Sequence, residues 1–114
     1  MADVLKNVRA EITTTAGSAV LNGAASKTYT ILSVTVCNTH ATNDETFNMF
    51  CTTANKGTPI YIYEQQSVPA KATFEHTSKI VLLASEELWI ESDSDPDDTD
   101  GLHVVISYLE QDDS

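Results

Sequence analysis

Glycine and basic residues are both scarce in this chain. Four glycines in 114 residues leave its turns to Asn, Asp and Ser, and no glycine-rich phosphate loop is present. Six Lys and Arg stand against seventeen Asp and Glu, for a formal charge of −11, and none of the six lies beyond Lys79. Such a surface repels phosphate backbones and anionic lipid, so neither nucleic acid nor a membrane is an expected partner. No run approaches the roughly 18 apolar residues that span a bilayer. The opening MADVLKNVRAEITTT lacks the apolar core of a signal peptide, so folding in a reducing cytoplasm is expected. The two cysteines, Cys37 and Cys51, form no CxxC pair, which leaves zinc unsupported. There is no GxSxG motif and no Asn-x-Ser/Thr sequon. No segment sustains a 3.6-residue apolar period, which argues against helices.

What is present is alternation. An apolar fraction of 41% with 20% charged residues fits a folded globular chain and not a disordered one. Its length fits one domain. Val8–Thr14 alternates with period two, and a Thr run favours a strand. Residues 1–10 read as an N-terminal arm. Gly17–Ser26 is small, polar and turn-rich. Lys27–Asn38 is rich in Thr, Tyr, Ile and Val, and its apolar phase slips at Ile31-Leu32, which predicts a bulge. Thr39–Thr46 reads as a hairpin loop leading into a strand through Phe47, Met49 and Cys51.

Pro59 opens a strand carrying Ile60 to Tyr63, and Thr73–His76 is a short one. Lys79–Ala84 is apolar on both parities, which predicts a strand covered on both sides. Leu88–Glu91 and Leu102–Leu109 close the fold, and residues 111–114 form an acidic tail. About eight short strands separated by turns predict an all-β chain. The expected architecture is a single antiparallel β-sandwich over residues 11–110, either jelly-roll or immunoglobulin-like.

Candidate chemistry is thin. The segment Ser92–Gly101 carries five aspartates, and Asp93, Asp95 and Asp97 have the spacing of the first ligands of an EF-hand loop. The required Gly is replaced by Asp98 and the bidentate Glu by Val104, so the motif fails. The segment reads first as a solvated hairpin loop. A looser Ca²⁺ site on Asp93, Asp95, Asp97 and Asp100 stays open as the alternative. A hairpin centred on Asp44 sets Cys37 opposite Cys51, a geometry that strains a disulfide, so free thiols are expected. His40, His76 and His103 share no ligand spacing. No enzyme is expected. Lys6 and Arg9, two of the six bases, and the aromatic residues Tyr61, Tyr63, Trp89 and Phe50 are the candidates for partner contact, with core packing as the competing role of the rings.

Three stretches carry a resemblance. They are TYTILSVTVCNTHATNDETFNMF, then Val68-Pro69-Ala70 followed by TFEHTSKIVLLASEELWIES, and the closing HVVISYLE. Over about residues 27–110 the pattern resembles small β-sandwich virion proteins of tailed bacteriophages, marine and cyanobacterial phages in particular. The resemblance implies a capsid decoration (cement) protein, or a neck, tail or fibre component including a receptor- or glycan-binding module. It implies the major capsid protein or other virion proteins as partners, and a homotrimer at quasi-threefold points of the shell. The N-terminal arm and a sheet edge would grip that shell.

The aspartate segment yields a direct test. With a solvated loop, EDTA leaves the melting temperature unchanged. A fall in melting temperature on chelation, reversed by Ca²⁺, would show an ion shared among the carboxylates, since a ligand bound only to the native state must raise its stability.

Overall fold

A computed structural model describes residues 3–13, 17–53, 56–92 and 101–112. Nine strands run through them: β1 (Asp3–Ile12), β2 (Ser18–Asn22), β3 (Lys27–Asn38), β4 (Glu45–Thr53), β5 (Ile60–Val68), β6 (Thr73–His76), β7 (Ile80–Leu82), β8 (Glu86–Ser92) and β9 (Leu102–Asp112). One sheet has the order β1-β9-β3-β6, with β7 also paired to β3, and the other the order β2-β8-β4-β5. All the pairs are antiparallel.

Successive strands mostly change sheet, and β4–β5 is the one hairpin within the four-stranded sheet. That alternation, with β6 and β7 sharing one edge position, is the two-sheet jelly roll of eight strand positions. Of the two sandwiches the sequence allowed, the immunoglobulin-like one is excluded by this strand order.

Period-two patterning explains the core. Leu102, Val104 and Ile106 of β9 face inward between exposed His103 and Val105. Phe47 and Met49 of β4 meet them with Leu88 and Ile90 of β8. On β3 the phase slip predicted at Ile31-Leu32 is a bulge: the register against β9 shifts between Ile31 and Ser33. Leu32 absorbs the extra residue, so Tyr29 and Ile31 before it and Val34 and Val36 after it all face the core.

Several expectations need correction. The N-terminal segment is not a free arm: β1 begins at Asp3 and pairs with β9 through Ile12. Its apolar alternation starts at Val4, but Leu5 on the outward parity and Lys6 on the inward one obscure it. Of the tail expected over residues 111–114, Gln111 and Asp112 belong to β9, and residues 113 and 114 lie outside the described residues. A strand, β2, lies where turns were expected, because Val20 and Leu21 reach the core from only five residues.

Thr39–Thr46 holds no hairpin loop. Its residues carry the chain from β3 in one sheet to β4 in the other, so Cys37 and Cys51 are not cross-strand partners. Both cysteines are free thiols. Lys79–Ala84 is covered on one side only. Leu82 is buried, while Val81 and Leu83 are each 53% exposed.

Asn38 is the anchor of the β3–β4 crossing. It is buried, and its amide donates to the carbonyls of Asn43 (2.8 Å) and Val68 (3.0 Å). Its side-chain oxygen accepts from the His40 amide at 3.0 Å. The Asn38→Ala variant orphans two carbonyls, each worth roughly 1–3 kcal/mol when left unsatisfied. Urea unfolding is expected to show a midpoint lowered accordingly, with an unchanged m-value.

Candidate interaction surfaces

Among the described residues no three of His, Cys, Asp and Glu gather into a metal-binding group. The Asp93, Asp95, Asp97 and Asp100 candidates lie outside the described residues. The three histidines fall in separate places. His40 closes its own loop, accepting at Nδ1 from the amides of Thr42 and Asn43. His76 points inward and shares a 2.7 Å hydrogen bond with the Tyr63 hydroxyl, while its Nε2 is buried without a hydrogen-bond partner among the described residues. His103 stands on the outer face of the five-stranded sheet, 3.8 Å from Glu11.

The aromatic candidates divide. Tyr63 belongs to the interior, where it packs edge-on against Phe74 and contacts Phe47. Trp89 and Phe50 lie on the outer face of the four-stranded sheet, as cross-strand partners on β8 and β4. Their rings stack at 6.2 Å with a 9° tilt, and Phe50 is buried under this cover.

Lys56 folds over the pair, its ammonium 4.7 Å from the Trp89 ring and 3.7 Å from Glu91. Glu87 Oε1 accepts from Trp89 Nε1 (2.8 Å), the Lys56 amide (3.1 Å) and Thr52 Oγ1 (3.2 Å). Glu91 in turn accepts from Asn48, whose side-chain oxygen holds the Gln65 amide at a positive φ. The indole is thus occupied on its ring, by Phe50 and Lys56, and at its N–H, by Glu87. Tyr61 remains outward, 45% exposed beside Ile60 at the edge of this sheet.

The basic candidates sit together on β1. Lys6 forms an ion pair with Glu110 at 3.2 Å, and this contact holds its ammonium above the usual lysine range. Arg9 is exposed on the outer face, opposite Val105. Around them lies apolar surface that the sequence reading missed. Leu5 is 74% exposed, and Val81 and Leu83 join it on the five-stranded sheet side.

Register places Leu5, Leu109, Thr30 and Val81 in one row across β1, β9, β3 and β7. Two shallow grooves run beside the row. One, of about 370 Å³, is lined by Arg9, Glu11, His103 and Val105, and the other, of about 300 Å³, by Leu5, Asn7, Leu32 and Ser107. Leu82-Leu83, apolar on both parities, was the one sequence signal of this exposed face.

Two outcomes follow from these contacts. Glu87→Ala strips the acceptor from the Trp89 and Lys56 N–H groups, while the Thr52 hydroxyl keeps the Thr53 carbonyl at 2.8 Å. The emission of Trp89, the chain's single tryptophan, is expected to shift to the red, with a stability loss of roughly 1–3 kcal/mol. For pH, burial first and the Glu110 charge second push the Tyr29 hydroxyl up, and Lys6 is also raised. A group whose folded value is raised stabilises fully below its unfolded value and stops doing so as pH passes the folded one. Stability owed to this cluster is therefore intact at neutral pH and lost above about pH 10. Glu110→Gln flattens that alkaline limb in denaturation curves measured across pH.

No family model matches the sequence, and no curated protein matches it. Solved structures do share its shape. A chain of the acidic stable capsid structure of Helicobacter pylori bacteriophage KHP30 superposes with a TM-score of 0.60 at 8% identity, over 98% of this chain and 94% of that one. The structure of Eiger TNF from S. frugiperda gives 0.51 at 8% identity, with the same coverages. At such identities the likeness is one of fold: the described residues form a jelly roll of a kind that also occurs in a phage capsid structure.

Proposed function

We propose that this chain is a non-enzymatic structural protein of a phage virion, and within the particle a capsid decoration (cement) protein on the outer shell. The observation that carries the reading is the fold match to a chain of a phage capsid structure over nearly the full length of both. The build of the molecule agrees. A protein used in many copies needs a rigid sandwich and a contact face rather than a reaction centre, and symmetric repetition turns a weak contact into firm attachment.

The shell contact falls on the outer face of the five-stranded sheet. There Leu5, Val81 and Leu83 offer apolar area. Arg9, on the outward parity of β1, brings positive charge to that face, while Lys6, on the opposite parity, is paired with Glu110, so an acidic protein can approach its partner there with less repulsion. The partner is the major capsid protein or another virion protein.

A second reading, a tail or fibre module that binds glycans, draws on Tyr61 and Ile60 at the β5 edge. It would use Tyr61 rather than Trp89, whose ring and N–H are already engaged.

The test is co-sedimentation of the purified chain with shells assembled without it. Saturable binding is expected, weakened at least tenfold by the pair Leu5→Asp and Val81→Asp, which are exposed and leave the core intact. No binding to any shell, together with glycan binding abolished by Tyr61→Ala, would replace the decoration role with the tail-module reading.

A further inference from the structure

A jelly roll has four sheet edges, and an exposed edge invites another strand unless something blocks it. Three of the four are blocked here. β5 has two register shifts against β4 and a positive φ at Gln65. β2 is five residues long and bulged at Ala19/Leu21. The edge formed by β6 and β7 is broken between His76 and Ile80 into pieces of four and three residues.

β1 is different. Ten consecutive residues pair with β9 without a shift. Among the described residues no backbone hydrogen bond from another element reaches its outer side. It carries Asp3, Lys6, Arg9 and Glu11, so it is locally neutral in a chain of charge −11. Charged side chains usually guard an edge. Here their order lets them pair with themselves.

In antiparallel pairing, opposed residues point to the same face. Joining inner face to inner face restricts two β1 strands to a few registers. With Asn7 on the twofold axis, Asp3 meets Glu11, which is repulsive. With Arg9 on the axis, Arg9 meets Arg9. With Val8 on the axis, no opposite charges meet. With Ala10 on the axis, Arg9 meets Glu11, but only Val8–Ile12 of the strand is then paired and Leu5 is left outside the contact.

With Lys6 on the axis, Asp3 of each copy faces Arg9 of the other, and Val4 faces Val8. The central Lys6 residues approach each other, but each is already held by its own Glu110 at 3.2 Å. In this register Leu5, at 74% the most exposed large apolar side chain, lies diagonal to Leu5 of the other copy.

We propose that β1 is a self-pairing edge through which two copies join antiparallel, Asp3 of each opposite Arg9 of the other, into one continuous sheet of ten strands. The contact is isologous and closes at two copies, unlike the threefold assembly the resemblance implies. It uses the edge of β1, whereas the proposed shell contact uses the outer face, so the two fail separately: this one is read on the isolated chain.

Sedimentation across a concentration range is expected to show a monomer–dimer equilibrium. Arg9→Asp and Asp3→Arg, both on exposed positions, each raise the dimer dissociation constant roughly tenfold or more by turning two attractive pairs into two repulsive ones. The double swap D3R/R9D restores it. Asp3→Arg is the sharper single variant, because it lowers the net negative charge and would strengthen any association limited only by overall repulsion. A chain that stays monomeric, or forms a trimer, overturns the inference. A dimer that ignores both single variants overturns it equally, since the copies then meet elsewhere.

Discussion

The ladder between β3 and β9 is what the rest of the molecule depends on. These are the two longest strands, and they lie side by side in the middle of the five-stranded sheet. β1 hangs on the far side of β9, and β6 and β7 on the far side of β3. Their inward residues, Ile31, Val34, Val36, Leu102, Val104 and Ile106, are all essentially buried. The ladder is continuous only because the extra residue at Leu32 resets the phase of β3. Without that bulge one half of β3 would turn its apolar residues outward, since a one-residue slip flips every side chain.

How much of this could be read from the residues follows from the same physics. β3, β8 and β9 were legible because alternation is strong where one face is buried and the other wet. The bulge was legible as adjacent apolar residues in a strand that otherwise alternates. β2 was not, because two buried residues in five carry no period. Nor was the partnering of β3 and β4. A polar connection of six residues, Thr39–Asp44, fits a hairpin and a sheet-to-sheet crossing equally well. The crossing is decided by Asn38, which ties that loop to Val68 at the end of β5, a long-range contact with no local signature. For the candidate surfaces, the exposed residues Lys6, Arg9 and Tyr61 were recognisable by type. The engagement of Trp89 by Phe50, Lys56 and Glu87 depends on three elements meeting, and the exposure of Leu5 and Val81 depends on which face of the five-stranded sheet the register gives them.

The two outer faces differ in kind. On the four-stranded sheet, aromatic and charged side chains are spent on one another, and the polar network from Gln65 through Asn48, Glu91 and Lys56 closes that face over Phe50. On the five-stranded sheet, apolar side chains stand outward and the edge strand is regular. A chain carrying −11 can approach another protein most cheaply where its own charge cancels, and that is along β1. Exposure and charge thus single out the same side of the molecule, the one on which the proposed contact is placed.

Whether this jelly roll serves on the outer shell of a phage particle can be seen by cryo-electron microscopy of the assembled virion. Density for the sandwich is expected on the outer capsid surface, in symmetry-related copies, with the five-stranded sheet turned toward its neighbours. Density for the chain confined to the neck or tail, or a mature particle that does not contain it, would rule out a place on the outer shell.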